Sequence, residues 1–259
     1  MSGIEMNLVS VAQRALPLLD LTSLNEADDD VSTAALCARA VTPVGHVAAV
    51  CLWPSFVPQA KQALAGKDVK VATVVNFPGG SLPAEKVADQ IARALADGAD
   101  EIDVVMPYAA VMMGQGGDQR AADHLAVCRE ACGTTTMKVI LESGALAKPV
   151  LVERAARVAV AAGADFLKTS TGKVPAGATP GAARIMLAAC RDAGRPVGFK
   201  ASGGIRDVET AAQYLALADE ICGPGWASPA TFRFGASGLL DALLSVLGHG
   251  PAVGAATGY

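Results

Sequence analysis

Ala164-Asp-Phe-Leu-Lys-Thr-Ser-Thr-Gly-Lys173 is the stretch on which the reading of this chain turns. Its apolar part, Asp165 to Lys168, is too short for a helix. It lies between two alanine-rich segments of helical periodicity, Lys148 to Ala162 and Pro180 to Ala193. It therefore reads as a buried strand between two helices, ending on Lys168 and opening through three hydroxyl residues into a glycine turn. A lysine at such a strand end can serve as a point charge, a general base or an amine nucleophile. It can also simply run its stem along apolar surface and leave the ammonium in water.

The same unit recurs on both sides. Short apolar runs at Val47–Leu52, Val69–Val75, Glu101–Met106 and Met137–Leu141 precede it, and Val197–Lys200, Glu220–Cys222 and Thr231–Phe234 follow. A helical stretch trails most of them, with Glu220–Cys222 the weakest of the runs. Nearly continuous apolar strands imply a parallel sheet buried on both faces, joined by right-handed crossovers. Eight such units in 259 residues predict an α/β fold, a single (β/α)8 TIM barrel spanning 1–259. A doubly wound open sheet is the alternative, but it predicts a GxGxxG fingerprint after the first strand, and none follows Leu52. Residues 1–45 read as extra N-terminal helices, near 6–16 and 30–40, the second behind capping candidates Asp28 to Asp30. Between them Leu19-Asp-Leu-Thr-Ser-Leu-Asn25 reads as a turn-rich link in which Asp20 and Thr22 brace the fold or reach a site. Residues 249–259 form a short Gly/Ala-rich tail ending in Tyr259.

Composition narrows the class. The formal charge of -4 and the absence of basic runs argue against a nucleic-acid partner. No stretch approaches the roughly 20 apolar residues of a membrane span, and the first nineteen residues, with Glu5 and Arg14, lack a signal-peptide pattern. The six cysteines form no CxxC pair and suit a reducing, cytoplasmic setting. Three scattered histidines, His46, His124 and His249, do not form a metal-ligand set, so no metal is expected.

In a barrel of this kind the site lies at the C-terminal strand ends. That rule collects Cys51, Asn76, Asp103, Lys138 or Glu142, Lys168, Lys200, Arg233 and Ser237. Lys168 and Lys200 end consecutive strands, about 5 Å apart. Two ammonium groups that close repel, which lowers the pKa of at least one and makes it a nucleophile able to form a Schiff base. Glu101 and Asp103 point to one side of their strand, where Asp103 is either a structural partner for a lysine or a proton shuttle. Three glycine-bearing loops, around Gly172-Lys173, Gly203-Gly204 and Gly235 to Gly238, suit a substrate phosphate.

Taken in order, Leu19-Asp-Leu-Thr-Ser-Leu-Asn25, Glu101-Ile-Asp-Val-Val105, Ala164 to Lys173, Gly198-Phe-Lys-Ala-Ser-Gly-Gly-Ile-Arg206 and Arg233-Phe-Gly-Ala-Ser237 resemble the deoxyribose-phosphate aldolase family, in its longer enterobacterial-type branch. The resemblance runs from about Leu16 to His249. It implies a class I, metal-independent lyase with no cofactor beyond a covalent lysine imine. Such an enzyme reversibly cleaves 2-deoxy-D-ribose 5-phosphate to acetaldehyde and D-glyceraldehyde 3-phosphate, in deoxyribonucleotide and carbohydrate breakdown. By this likeness Lys168 matches the Schiff-base lysine, Lys200 the lysine that perturbs it and Asp103 the proton relay. Gly172, Lys173, Gly203, Gly204, Ser237 and Gly238 match the phosphate grip. Thr22, Cys51, Thr171 and Tyr259 are candidates to line the site, with Tyr259 reaching it through the tail. Gly238 stands where a second serine is common and Ala145 where a second acid is common, and Asn76 to Gly80 lacks the usual histidine. A homodimer that meets only small sugar phosphates and aldehydes is the expected assembly. The rival readings are a sugar-phosphate isomerase with Asp103 as base and a non-catalytic sugar-phosphate binder.

Overall fold

The computed structural model describes residues 7–249. Eight parallel strands close into one barrel: β1 (Leu19–Thr22), β4 (Ala49–Leu52), β5 (Lys70–Val75), β6 (Glu101–Val105), β7 (Thr136–Ile140), β8 (Phe166–Lys168), β9 (Gly198–Ser202) and β10 (Phe232–Ala236). A two-stranded hairpin, β2 (Val41–Thr42) and β3 (Gly45–His46), stands apart from them. Helices fill the connections: α1 (Leu8–Ala15), α2 (Asp30–Arg39), α3 (Val57–Ala63), α4 (Ala84–Ala96) and α5 (Tyr108–Met112) in the first half. The second half carries α6 (Gln115–Cys132), α7 (Ser143–Leu146), α8 (Pro149–Ala161), α9 (Pro180–Arg191), α10 (Val208–Cys222) and α11 (Leu239–Val246). No helix among the described residues is long and apolar enough to cross a membrane.

The local chemistry explains where several helices start. Asp29 and Ser32 form a reciprocal capping box at α2, satisfying two backbone N–H groups that the first turn leaves free. Thr179 caps α9 through the Ala182 N–H, with Pro180 at the first helical position, where its missing N–H costs nothing. Asp207 caps α10 in the same way through Thr210.

Two expectations fail together. Glu220–Cys222 is the last turn of α10, and the eighth strand is Leu19–Thr22, which pairs with β10 on one side and β4 on the other. Periodicity carries α10 on through Ala211, Leu215 and Ala218, all buried, while Glu220 faces outward to pair with Arg184 of α9. Leu19 and Leu21 are buried against the helices, and Asp20, between them, points inward. A strand whose inward residues are polar looks like a turn only if the barrel interior is assumed to be apolar.

Strand alternation sorts every strand in this way. Outward residues such as Val50, Ile102, Val139, Leu167, Phe199 and Phe234 join the main core under the helices. Inward residues divide into two halves. On β4 and β5, Ala49, Cys51, Ala72 and Val74 form a small apolar cluster beneath Leu24. On β1 and β6 to β10 the inward set includes Asp20, Glu101, Asp103, Lys138, Lys168, Lys200 and Arg233, all buried.

Gly198 shows how tightly strands meet beneath the site. A Cβ there would lie 2.4 Å from the Phe166 ring, so the ring or the strand would have to move. Gly198→Ala is expected to cost about 1–3 kcal/mol by overpacking, read as a lowered urea midpoint, whereas an unchanged midpoint would show that the ring gives way freely.

Candidate active site

A cavity of about 250 Å³ opens at the C-terminal mouth of the barrel. Strand order builds it: β8, β9, β10 and β1 are consecutive around the barrel, and their following loops form its walls. Lys168 reaches it from below. Thr22 and the 23–25 segment line one wall. Thr171, Gly172 and Lys173 line a second, Ser202 to Arg206 a third, and Gly235 to Ser237 the fourth. The loops are tied to one another. The Thr169 hydroxyl donates to the Ser202 carbonyl and accepts from its N–H, each at 2.9 Å, and the Lys173 ammonium donates to the Leu24 carbonyl at 2.6 Å.

The expected neighbours are in register. Lys168 pairs with Lys200 across β8 and β9, and Lys200 with Arg233 across β9 and β10. The two lysines do not face each other bare. Both donate to the same Asp103 oxygen at 2.8 Å, and Lys138 donates to the other at 2.8 Å. Burial pushes the Asp103 carboxyl up, but these three ammonium groups outweigh it and hold the acid well below the ordinary carboxylate range. Burial pulls Lys200 down, yet Asp103 and Asp20, the latter at 2.5 Å, together raise it above an ordinary lysine. Mutual repulsion therefore does not neutralise Lys200. Lys138 is raised too, against its burial, by Asp103 and Glu101.

Glu142 lies fully buried behind Thr171 in a left-handed backbone conformation, φ 53, that residues other than glycine seldom adopt. Burial raises its carboxyl, and its Oε2 accepts from the Thr171 hydroxyl at 2.5 Å. Thr171 is thus held at the wall by a carboxyl group.

Of the residues singled out in the sequence, Thr22, Lys168, Thr171, Gly172, Lys173, Gly203, Gly204 and Ser237 line the cavity. Asp103 and Lys200 lie directly beneath it, fully buried. Gly238 stands one residue outside the lining, as N-cap of α11. Cys51 is buried in the apolar cluster rather than exposed at the mouth, and burial raises its thiol, which makes it a poorer nucleophile than a free cysteine. Tyr259 lies outside the described residues. Sequence reasoning collected Lys138 and Arg233 at the strand ends and left Asp20 between bracing and site, but gave none of the three, whose side chains sit below the cavity, a specific role, and it gave none to Arg206 on the cavity wall. The signal was there, since charged residues at alternate positions of an apolar strand point to a polar interior. Among the described residues no cluster of three or more His, Cys, Asp or Glu is placed to hold a metal ion.

A closed parallel barrel with a lysine-floored cavity at its C-terminal mouth defines a (β/α)8-barrel enzyme. The family model described as DeoC/LacD family aldolase matches residues 14–244, and the chain belongs to that family. It is 51% identical over 251 residues to a deoxyribose-phosphate aldolase of Agrobacterium fabrum, covering 96% of each chain. The crystal structure of an apo protein of Toxoplasma gondii ME49, provisionally named a deoxyribose-phosphate aldolase, superposes with a TM-score of 0.86 at 27% identity, covering 95% of this chain and 99% of that one. A deoxyribose phosphate aldolase of Aeropyrum pernix, described as tetrameric, shares the fold with a TM-score of 0.73 at 23% identity, covering 92% and 96% of the two chains.

The buried carboxylates make the barrel sensitive to acid. Asp20 and Asp103 are held below their ordinary value of 3.8, so their contribution is fully present above that value and lost as the pH falls through it toward the folded-state value. The urea midpoint is expected to fall as the pH drops from about 5 toward 2. Asp20→Asn should cost about 3–5 kcal/mol at neutral pH by leaving buried cations unpaired, and should flatten that acid slope.

Proposed function

We propose that this chain is a class I aldolase that reversibly cleaves 2-deoxy-D-ribose 5-phosphate to acetaldehyde and D-glyceraldehyde 3-phosphate, with Lys168 as its nucleophile. The observation that carries this reading is the placement of three buried lysines, of which Lys168 alone lines the cavity. The Lys168 amine adds to the C1 aldehyde, and loss of water from the adduct leaves an imine. The two-carbon product keeps C1 and C2, so the bond that breaks is C2–C3. The C3 hydroxyl loses its proton as C3 becomes the aldehyde carbon of the departing triose phosphate. The bonding pair moves to C1–C2, and the imine nitrogen takes up the charge as an enamine. Protonation at C2 and addition of water then release acetaldehyde and restore the amine.

Asp103 orients the amine from below at 2.8 Å, and with Lys200 it passes protons to and from the substrate through a water in the cavity. The imine is the electron sink, so the chemistry needs no metal and no organic cofactor. The substrate phosphate occupies the outer end of the cavity, between the backbone N–H groups of Gly172, Gly203 and Gly204 and the start of α11 at Ser237 and Gly238. Positive φ angles of 78, 89 and 88 at the first three favour glycine, whose missing side chain lets an anion approach the backbone. Lys173 and Arg206, both exposed on the cavity wall, add positive charge. Thr22 and Thr171 flank the sugar hydroxyls. Six free cysteines suit a reducing compartment, and we assign the enzyme to the cytoplasm.

Borohydride added with deoxyribose 5-phosphate is expected to leave a stable adduct on the Lys168 peptide, and Lys168→Arg to abolish both adduct and turnover. An adduct on Lys200, or turnover in the arginine variant, would overturn the assignment. Lys173→Met is expected to lower kcat/KM for the phosphorylated sugar about 10- to 100-fold, as for loss of one charge-assisted contact, while barely changing that for the unphosphorylated sugar. Equal losses on the two sugars would remove Lys173 from the phosphate grip.

A further inference from the structure

The cavity wall beside Lys168 is backed by a buried acid that the reaction itself does not use. Glu142 follows β7 and is fully buried, with its backbone at φ 53. Residues other than glycine hold that conformation only where their surroundings impose it, and such strain collects at functional sites. The surroundings here are tight. On either side of Glu142, the Leu141 N–H donates to the Lys168 carbonyl at 2.9 Å and the Ser143 N–H to the Thr169 carbonyl at 2.8 Å. A Cβ at Gly144 would lie 2.1 Å from the Ala176 carbonyl oxygen, so this turn presses against the loop that follows β8. The turn aims the Glu142 side chain at a single residue. Its Oε2 accepts from the Thr171 hydroxyl at 2.5 Å, and the Thr171 N–H points to the two carboxyl oxygens at 3.3 and 3.4 Å.

These contacts give the Thr171 hydroxyl a fixed polarity. A threonine hydroxyl has one proton to donate and two lone pairs. The proton goes to Glu142, and one lone pair accepts from the Lys173 N–H at 3.0 Å. The second lone pair is all that Thr171 can offer to the cavity it lines. A bound group beside it must therefore donate, as a hydroxyl can and an ether or carbonyl cannot. Thr171 stands between Lys168, which takes C1, and Gly172 at the phosphate end, so it meets the middle of the sugar. The C3 hydroxyl gives up its proton during cleavage, whereas the C4 hydroxyl keeps its own and leaves with the triose phosphate. We propose that Glu142 is a positioning residue for specificity: by holding the Thr171 hydroxyl as an acceptor, it makes the site select substrates that carry the C4 hydroxyl. In the synthesis direction that group is the 2-hydroxyl of the acceptor aldehyde. The inference rests on the aldolase reading of the site. Burial raises the Glu142 carboxyl, while the hydroxyl and N–H of Thr171 favour the carboxylate that accepts from them.

Condensation of acetaldehyde with two acceptors reads the effect: D-glyceraldehyde 3-phosphate, and 3-oxopropyl phosphate, which is the same triose phosphate without its hydroxyl. The parent enzyme should favour the first in kcat/KM. Glu142→Met keeps the length of the side chain and removes the acceptor, so the Thr171 hydroxyl can turn. The ratio of the two kcat/KM values should then fall about 3- to 10-fold, as for loss of one neutral hydrogen bond. Glu142→Gln retains a carbonyl oxygen for the Thr171 hydroxyl and should keep most of the preference. Equal losses on both acceptors in Glu142→Met would reduce Glu142 to a structural role and overturn the proposal, as would a glutamine variant no more selective than the methionine one. Should Glu142→Met fail to fold, proton NMR of the parent enzyme decides. The Thr171 hydroxyl should give a downfield, slowly exchanging signal that Thr171→Val lacks, and absence of that signal would sink the idea. A parent enzyme that condenses acetaldehyde with neither acceptor would instead remove the aldolase reading, a failure distinct from turnover whose acceptor ratio does not move.

Discussion

Asp103 holds three ammonium groups at 2.8 Å in a place that water does not reach. Charge buried in this way is tolerated only when it is matched and geometrically fixed, and that demand shapes the barrel around it. Each of the three lysines comes from a different strand, and so do Asp20 and Arg233, which complete the matching from the far side of the barrel. Removing any one of the six strands that carry these residues would leave a buried charge short of a partner.

This constraint explains why the interior is divided. Two adjacent strands present alanine, cysteine and valine inward, while the others present the charged residues. The small side chains leave the lysine stems room to extend, and the packed outer core under the helices supplies the apolar burial that the interior forgoes. Gly235 marks another close approach in this arrangement. A Cβ there would lie 2.9 Å from the Lys200 side chain and 2.8 Å from that of Ser202. The glycine between Phe234 and Ala236 thus makes space for the Lys200 and Ser202 side chains.

The parallel βα alternation was legible because its signal is local. Seven of the eight barrel strands were apolar runs of the right length with a helical segment behind them, and the adjacency of Lys168 and Lys200 followed from counting those strands. The first strand was not legible. Leu19-Asp-Leu-Thr22 alternates apolar and polar residues, and with a buried charge at its centre it resembles a link unless the chemistry of the barrel interior is already known. The strand wrongly assigned to Glu220–Cys222 kept the total at eight, so the count gave no warning. Lys138 and Arg233 were visible as strand residues, but their role depends on cross-barrel partners as far as 213 residues away in the chain, as between Arg233 and Asp20.

The sequence by itself determined the fold class, the strand-end position of Lys168 and the glycine-bearing loops around the mouth, because periodicity, helix caps and turn glycines act over a few residues. Family membership is equally a property of the sequence, carried by motifs whose order along the chain is enough. Only the tertiary structure decided which of the buried lysines opens on the cavity and which carboxylates each one meets. That decision is made by register and by barrel closure, which bring Asp20 of β1 and Glu101 and Asp103 of β6 to the same few ångströms, and no local rule contains those distances.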